Sequence, residues 1–151
     1  MGEKHAQEEL QMVAFKLGDE EYAVTIDHVH EIKNVTEITR VPRAPFYIKG
    51  VFNLRGKIIP VVDLKKRLSL GDTEVQNDSR IIVVEVEDHV VGLLVDSVTE
   101  TTKVKRAEVD SPNVAVAGIA QEFIQGIAKI GERLLILLAL NQITAEGQVR
   151  G

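Results

Sequence analysis

Apolar and polar residues alternate along much of the chain, and the period is two. Val13, Phe15 and Leu17 are interleaved with Ala14 and Lys16, a β-branched and aromatic alternation that predicts a half-buried strand. Gly18 to Glu21 form the turn, and Tyr22, Val24 and Ile26 the return strand. A meander follows from Asp27 to Arg40, broken by Pro42 and Pro45, which push their preceding residues toward extended backbone. Lys49 to Leu54 and Lys57 to Val62 flank Arg55-Gly56 as a second hairpin. Pro60 marks its return strand as an edge or a bulged strand. Asp63 can cap a short helix that runs through Leu70 and ends at Gly71. The polar stretch 71–79 reads as a surface loop. Ile81 to Val86 and Val90 to Val95 pair around Glu87-Asp88-His89, and Val98 to Val104 predicts a further strand. Pro112 falls in an irregular stretch, and Phe123 to Ile130 and Leu134 to Leu140 make a last hairpin.

The pattern occurs twice. Phe15 to Glu31 lies over Val84 to Glu100 without a gap, so Asp19 falls on Asp88, Asp27 on Asp96, Val29 on Val98 and Glu31 on Glu100. Further on, Ile48-Lys49-Gly50-Val51 falls on Ile124-Gln125-Gly126-Ile127. Each copy is a hairpin, a middle segment and a second hairpin. About five short strands with an apolar face close most readily into a small barrel, which removes exposed edges. The expected architecture is all-β, two such barrels with short helices, from approximate halves 11–75 and 76–144, adjacent or intertwined. Residues 1–10 predict a flexible arm and 145–151 a flexible tail.

Composition narrows the function. The chain has 151 residues, 44% hydrophobic and 27% charged, enough for a core in one domain or two small lobes. A net charge of -5 argues against general nucleic-acid affinity and against an anionic membrane surface. With no cysteine, disulfides, thiolate catalysis and zinc–thiolate sites are excluded, and the expected compartment is the cytoplasm. The polar start is neither a signal peptide nor an anchor. The longest apolar run, Leu134 to Leu140, is far short of the roughly 20 residues a bilayer span needs.

Catalytic chemistry is hard to find. His28 and His30 would share one face of a strand, as a metal pair requires, but no third ligand is suggested and two polar-face histidines is the simpler reading. Asp27, Glu31, Asp96 and Glu100 recur in both copies, whereas an acid–base pair needs asymmetry. No phosphate-cradling loop or nucleophile elbow occurs. No cofactor, metal site or enzyme activity is expected. A small-molecule-binding or single-stranded-nucleic-acid-binding barrel is the alternative; with four Phe, two Tyr and no Trp, stacking platforms are scarce.

The positive signal is Arg55. It occupies a turn between two apolar strands where Asn, Asp or Gly would suit the backbone better. It is either a solvated turn residue or a recognition residue, since Arg forks bind carboxylates bidentately. The equivalent turn of the second copy, Ile130-Gly131-Glu132-Arg133, lacks the Asn-Leu-Arg-Gly sequence, and this asymmetry singles out Arg55. Val114-Ala115-Val116, apolar in an irregular segment, either plugs the seam between lobes or offers a patch to a partner.

Several segments together resemble one family. They are Leu17-Gly18-Asp19-Glu20-Glu21-Tyr22, Val29-x-Glu31-Ile32, the block from Ile48 through Asn53-Leu54-Arg55-Gly56 to Leu64, and Val91-Gly92-x-x-Val95-Asp96-x-Val98. They look like the CheW family of chemotaxis coupling proteins, over residues 11–144. The resemblance implies two SH3-like five-stranded barrels and a non-catalytic adaptor, cytoplasmic and recruited to membrane receptor arrays. Its partners would be the cytoplasmic tips of methyl-accepting chemoreceptors and the regulatory domain of the histidine kinase CheA. Arg55 would be the receptor-associated arginine, with Val29, Glu31, Gly50, Asn53, Leu54 and Val98 near the receptor groove. Asn113 and Val114 would meet the kinase.

Overall fold

The computed structural model describes residues 8–111 and 118–145. The strands are β1 (Glu9–Leu17), β2 (Glu20–Thr25), β3 (Val29–Asn34), β4 (Ile48–Leu54), β5 (Lys57–Asp63), β6 (Arg80–Val86), β7 (His89–Val95), β8 (Ser97–Lys105), β9 (Val109–Asp110), β10 (Ile124–Ile130) and β11 (Arg133–Leu138). One-turn helices follow β5 (Leu64–Arg67) and β11 (Leu140–Ile143). The all-β architecture with short helices is the expected one. Within the span expected as a flexible arm, Glu9 and Leu10 pair with Lys105 and Val104 of β8. The rest of that arm, nearly all of the tail, and Pro112 to Val116 lie outside the described residues.

Two sheets form, in the orders β8-β1-β2-β11-β10-β9 and β3-β6-β7-β5-β4. Both curl round. β8 passes through a three-residue 3₁₀ turn, Arg106–Glu108, into β9 at the opposite edge of the six-stranded sheet. In the five-stranded sheet, the chain beyond edge strand β3 returns to pair Thr39 with Val51 of β4 at the other edge. The sheets cut across the repeat. The first hairpin of each copy joins the later strands of the other copy, through the parallel pairs β2–β11 and β5–β7. The lobes are therefore intertwined, and residue 75 divides the repeat rather than the sheets.

This exchange explains the composition of the strands. Met12, Ala14, Ala23, Val104, Ala128, Leu135 and Leu137 fill the interior of the six-stranded lobe. Phe52, Ile59, Val61, Ile81, Val83 and Leu94 fill the five-stranded one. The alternate residues of the same strands, among them Val13, Phe15, Tyr22, Val62, Ile82, Leu93 and Ile136, meet in a third core shared by both lobes. β1 is thus buried on both faces from Met12 to Phe15, not half-buried. Its inner positions read as weakly apolar because a small barrel takes alanine there. Strands with two buried faces appear as continuous apolar runs, as in Ile81-Ile82-Val83-Val84.

Local features follow their residues. Asp63, buried, accepts from the Lys66 amide as N-cap and also from the Thr73 amide and hydroxyl, tying down the loop after the helix. β5 is an inner strand, but its pairing with β7 begins at Val61, so Pro60 stands where only one neighbour is present. At the seam, Arg67 donates to the Ile143 and Gln142 carbonyls at 3.0 and 3.1 Å. Its guanidinium carbon lies 4.6 Å from the ring centroids of both Tyr47 and Phe123.

Candidate interaction surface

β4 and β5 are joined by Arg55-Gly56, with φ of 52° and 88°. Positive φ at both central residues suits the twist of a two-residue hairpin, and Asn-Gly or Gly-Gly is the usual filling. Asn53 stabilises the turn by accepting from the Gly56 amide at 2.9 Å. Arg55 takes the left-handed position despite its side chain. Its guanidinium makes a two-pronged contact with Glu31 on β3, Nη1 to Oε2 at 2.6 Å and Nη2 to Oε1 at 3.1 Å. The hydrogen bonds from Arg55 hold the Glu31 carboxyl below the usual carboxylate range, and Lys33, 4.0 Å away, adds to this. The Arg55 side chain nevertheless remains 71% exposed. The outer face of the fork is open to a partner's acceptor.

The expected site residues divide into groups. Arg55 and Glu31 are in direct contact, and Asn53 shapes the turn that presents the arginine. Leu54 is half-buried against the five-stranded core. Val29 and Val98, equivalent in the repeat, stand at or next to the first residue of β3 and β8, just after the chain crosses between lobes, and both pack on the shared core at the seam. Gly50 is buried, and a Cβ there would lie 2.3 Å from the Thr39 carbonyl oxygen. Its place is structural: it lets the Thr39–Val51 pair close the lobe. Gly126 does the same against Val109 and Asp110. Asn113 and Val114 lie outside the described residues. His28 and His30 do not share a strand. His28 ends a 3₁₀ turn and contacts the Glu85 carbonyl, while His30 pairs with the Glu85 carboxylate at 2.8 Å.

One feature was missed in the sequence. The second lobe has an arginine on the equivalent carboxylate: Arg133 donates to Glu100 at 3.1 Å and also to both oxygens of Glu21, at 3.0 and 2.8 Å. The position equivalent to Arg55 in the repeat is Gly131, and the arginine stands two residues later, on β11. The repeated carboxylate at Glu31 and Glu100 was the available signal. The asymmetry between the copies is therefore one of exposure and backbone, not of arginine against none. Arg133 is 38% exposed and shared by two carboxylates. Its turn uses glycine at the left-handed position, Gly131 with φ 61°.

Residues 11–148 match the family model described as a CheW-like domain. The chain is 32% identical to the chemotaxis protein CheW of Treponema pallidum over 147 residues, covering 95% of this chain and 86% of that one. It is 37% identical to the chemotaxis protein CheW of Rhizobium meliloti, covering 88% and 86%. Among solved structures it resembles the scaffolding protein TtCheW from Thermoanaerobacter tengcongensis. The TM-score is 0.85 at 38% identity, over 93% of this chain and 91% of that one.

Proposed function

The chain belongs to the family of CheW-like domains, non-enzymatic chemotaxis scaffolds, and on that premise we propose that it couples the cytoplasmic tips of methyl-accepting chemoreceptors to the regulatory domain of the histidine kinase CheA. The observation that carries this reading is Arg55: an arginine in a backbone conformation that disfavours it, pinned by Glu31, with most of its side chain in solvent. Strain of that kind persists where it serves presentation of a group. A receptor helix pair would bury apolar side chains against the half-buried seam residues Val29 and Val98, while Arg55 fixes register on an acidic or carbonyl group. The kinase contact would be made by Asn113 and Val114. Single contacts of this kind gain strength in arrays through effective concentration. The protein would act in the cytoplasm, recruited to receptor clusters; no described helix is long and apolar enough to cross a membrane.

Arg55→Glu tests the reading. The variant should fold, because the side chain is exposed, and should fail to bring kinase activity under receptor control in a reconstituted receptor–kinase assay. Undiminished receptor control would sink the assignment.

A further inference from the structure

The loop before β4 presents a surface away from the Arg55 turn. Arg40, Pro42, Arg43 and Phe46 are all exposed, and Phe46, at 71%, is the most exposed large apolar side chain among the described residues. Neither Arg40 nor Arg43 has an ion-pair or hydrogen-bond partner among the described residues. Glu37 is the one acidic residue of the segment. The chain as a whole carries -5, so two open arginines stand out against the general field.

The loop is also rigidly held. Thr39 and Val51 exchange both backbone hydrogen bonds at 2.8 Å, the Ile48 amide donates to Pro45, and the Asp63 amide donates to Tyr47. Two prolines restrict the backbone between these anchors. Arg43 has φ 66°, the second arginine in the left-handed region. Phe46 sits edge-on to the buried Tyr47, with ring centroids 5.5 Å apart at 80°, and Arg67 covers Tyr47 in turn. The aromatic ring is therefore braced from behind and open in front. Little ordering cost remains for a partner that lands on it.

We propose that the Arg40–Phe46 loop is a docking surface for an acidic protein segment carrying an apolar side chain, which would stack on Phe46 while its carboxylates pair with Arg40 and Arg43. Charge complementarity selects the occupant. Membrane surfaces are recognised by larger basic clusters, about 4–8 Lys or Arg, and two arginines on an acidic chain do not supply that. The surface is distinct from the Arg55 turn, since β4 separates them by its seven residues, about 20 Å of extended strand. Both could be occupied at once.

The test is to pan random dodecapeptides displayed on phage against the full chain, counter-selecting on the Arg43→Glu/Phe46→Ser double variant. Enriched peptides should combine several Asp or Glu with a Leu, Phe or Trp. A selected peptide, followed by fluorescence anisotropy, should bind about tenfold or more weakly to Phe46→Ser and to Arg40→Glu. It should bind Arg55→Glu as it binds the wild type, which separates this site from the coupling surface. Peptides without acidic residues, or equal binding to the loop variants, would overturn the proposal. So would loop-dependent binding of phosphatidylglycerol vesicles in place of peptide. Unchanged melting of Arg40→Glu, whose side chain has no partner to lose among the described residues, keeps any loss of binding interpretable.

Discussion

At the scale of single residues, stability and presentation pull apart at Arg55. A residue other than glycine is strained in the left-handed conformation, while an ion pair in open solvent returns little because water and salt screen it. Arg55→Asn should therefore raise the urea midpoint, because asparagine tolerates the left-handed conformation, while losing receptor control; a lowered midpoint would show that the contact with Glu31 outweighs the strain. Tyr22 is the converse case. Its hydroxyl is fully buried with no hydrogen-bond partner among the described residues, and burial pushes its pKa up to about 12. Tyr22→Phe should stabilise the fold at neutral pH by about 1 kcal/mol, the cost of an unmet hydroxyl. The raised pKa also fixes a sign. The folded state keeps the phenol neutral while the unfolded chain ionises near pH 10, so stability is intact below about pH 10 and falls as pH rises toward 12. Denaturation across that window should show a shallower decline in the variant. Arg55 was legible in the sequence because turn chemistry is local. Arg133 was not, because its meaning lies in reaching Glu21 and Glu100 across the sheet.

At the scale of elements, the hairpins were legible and their partners were not. Turn residues and period-two alternation marked the strands, since both act within a few residues. The β2–β11 and β5–β7 pairs are parallel and distant in sequence, so no turn specifies them. The short β9 was missed because two paired residues leave no period to read. The two equivalent glycines test how each lobe closes. Alanine at Gly50 would meet a backbone carbonyl oxygen at 2.3 Å, whereas at Gly126 the nearest atom, at 2.5 Å, is a Val109 methyl that can turn aside. Both substitutions should destabilise, by about 1–3 kcal/mol, with Gly50→Ala the more severe in thermal denaturation. Equal losses would mean that the two closures are mechanically alike.

At the scale of the whole molecule, the exchanged hairpins and the shared core predict one cooperative unit. Neither half of the repeat holds a complete sheet. Fragments 8–75 and 76–145 should each lack stable β structure by circular dichroism and regain it when mixed. Independent folding of either half would contradict the interdependence of the lobes. The duplication was plain in the sequence because equivalent residues fall in register. Which copy's hairpin joins which sheet depends on tertiary packing, and each arrangement satisfies the same pattern of apolar positions.

The five-stranded lobe has one more property. It is a single uninterrupted stretch, Val29–Val95, whose two ends run directly into β2 and β8, neighbours on either side of β1 in the other sheet. If that lobe opens while the other stays folded, what is released is a ring clasped at both ends and not a free tail. The configurational freedom it gains is limited by closure, a restraint that grows only logarithmically with the length of the ring. The lobe that presents Arg55 is thus discouraged from local melting by the way its ends are held, without any further contact being needed.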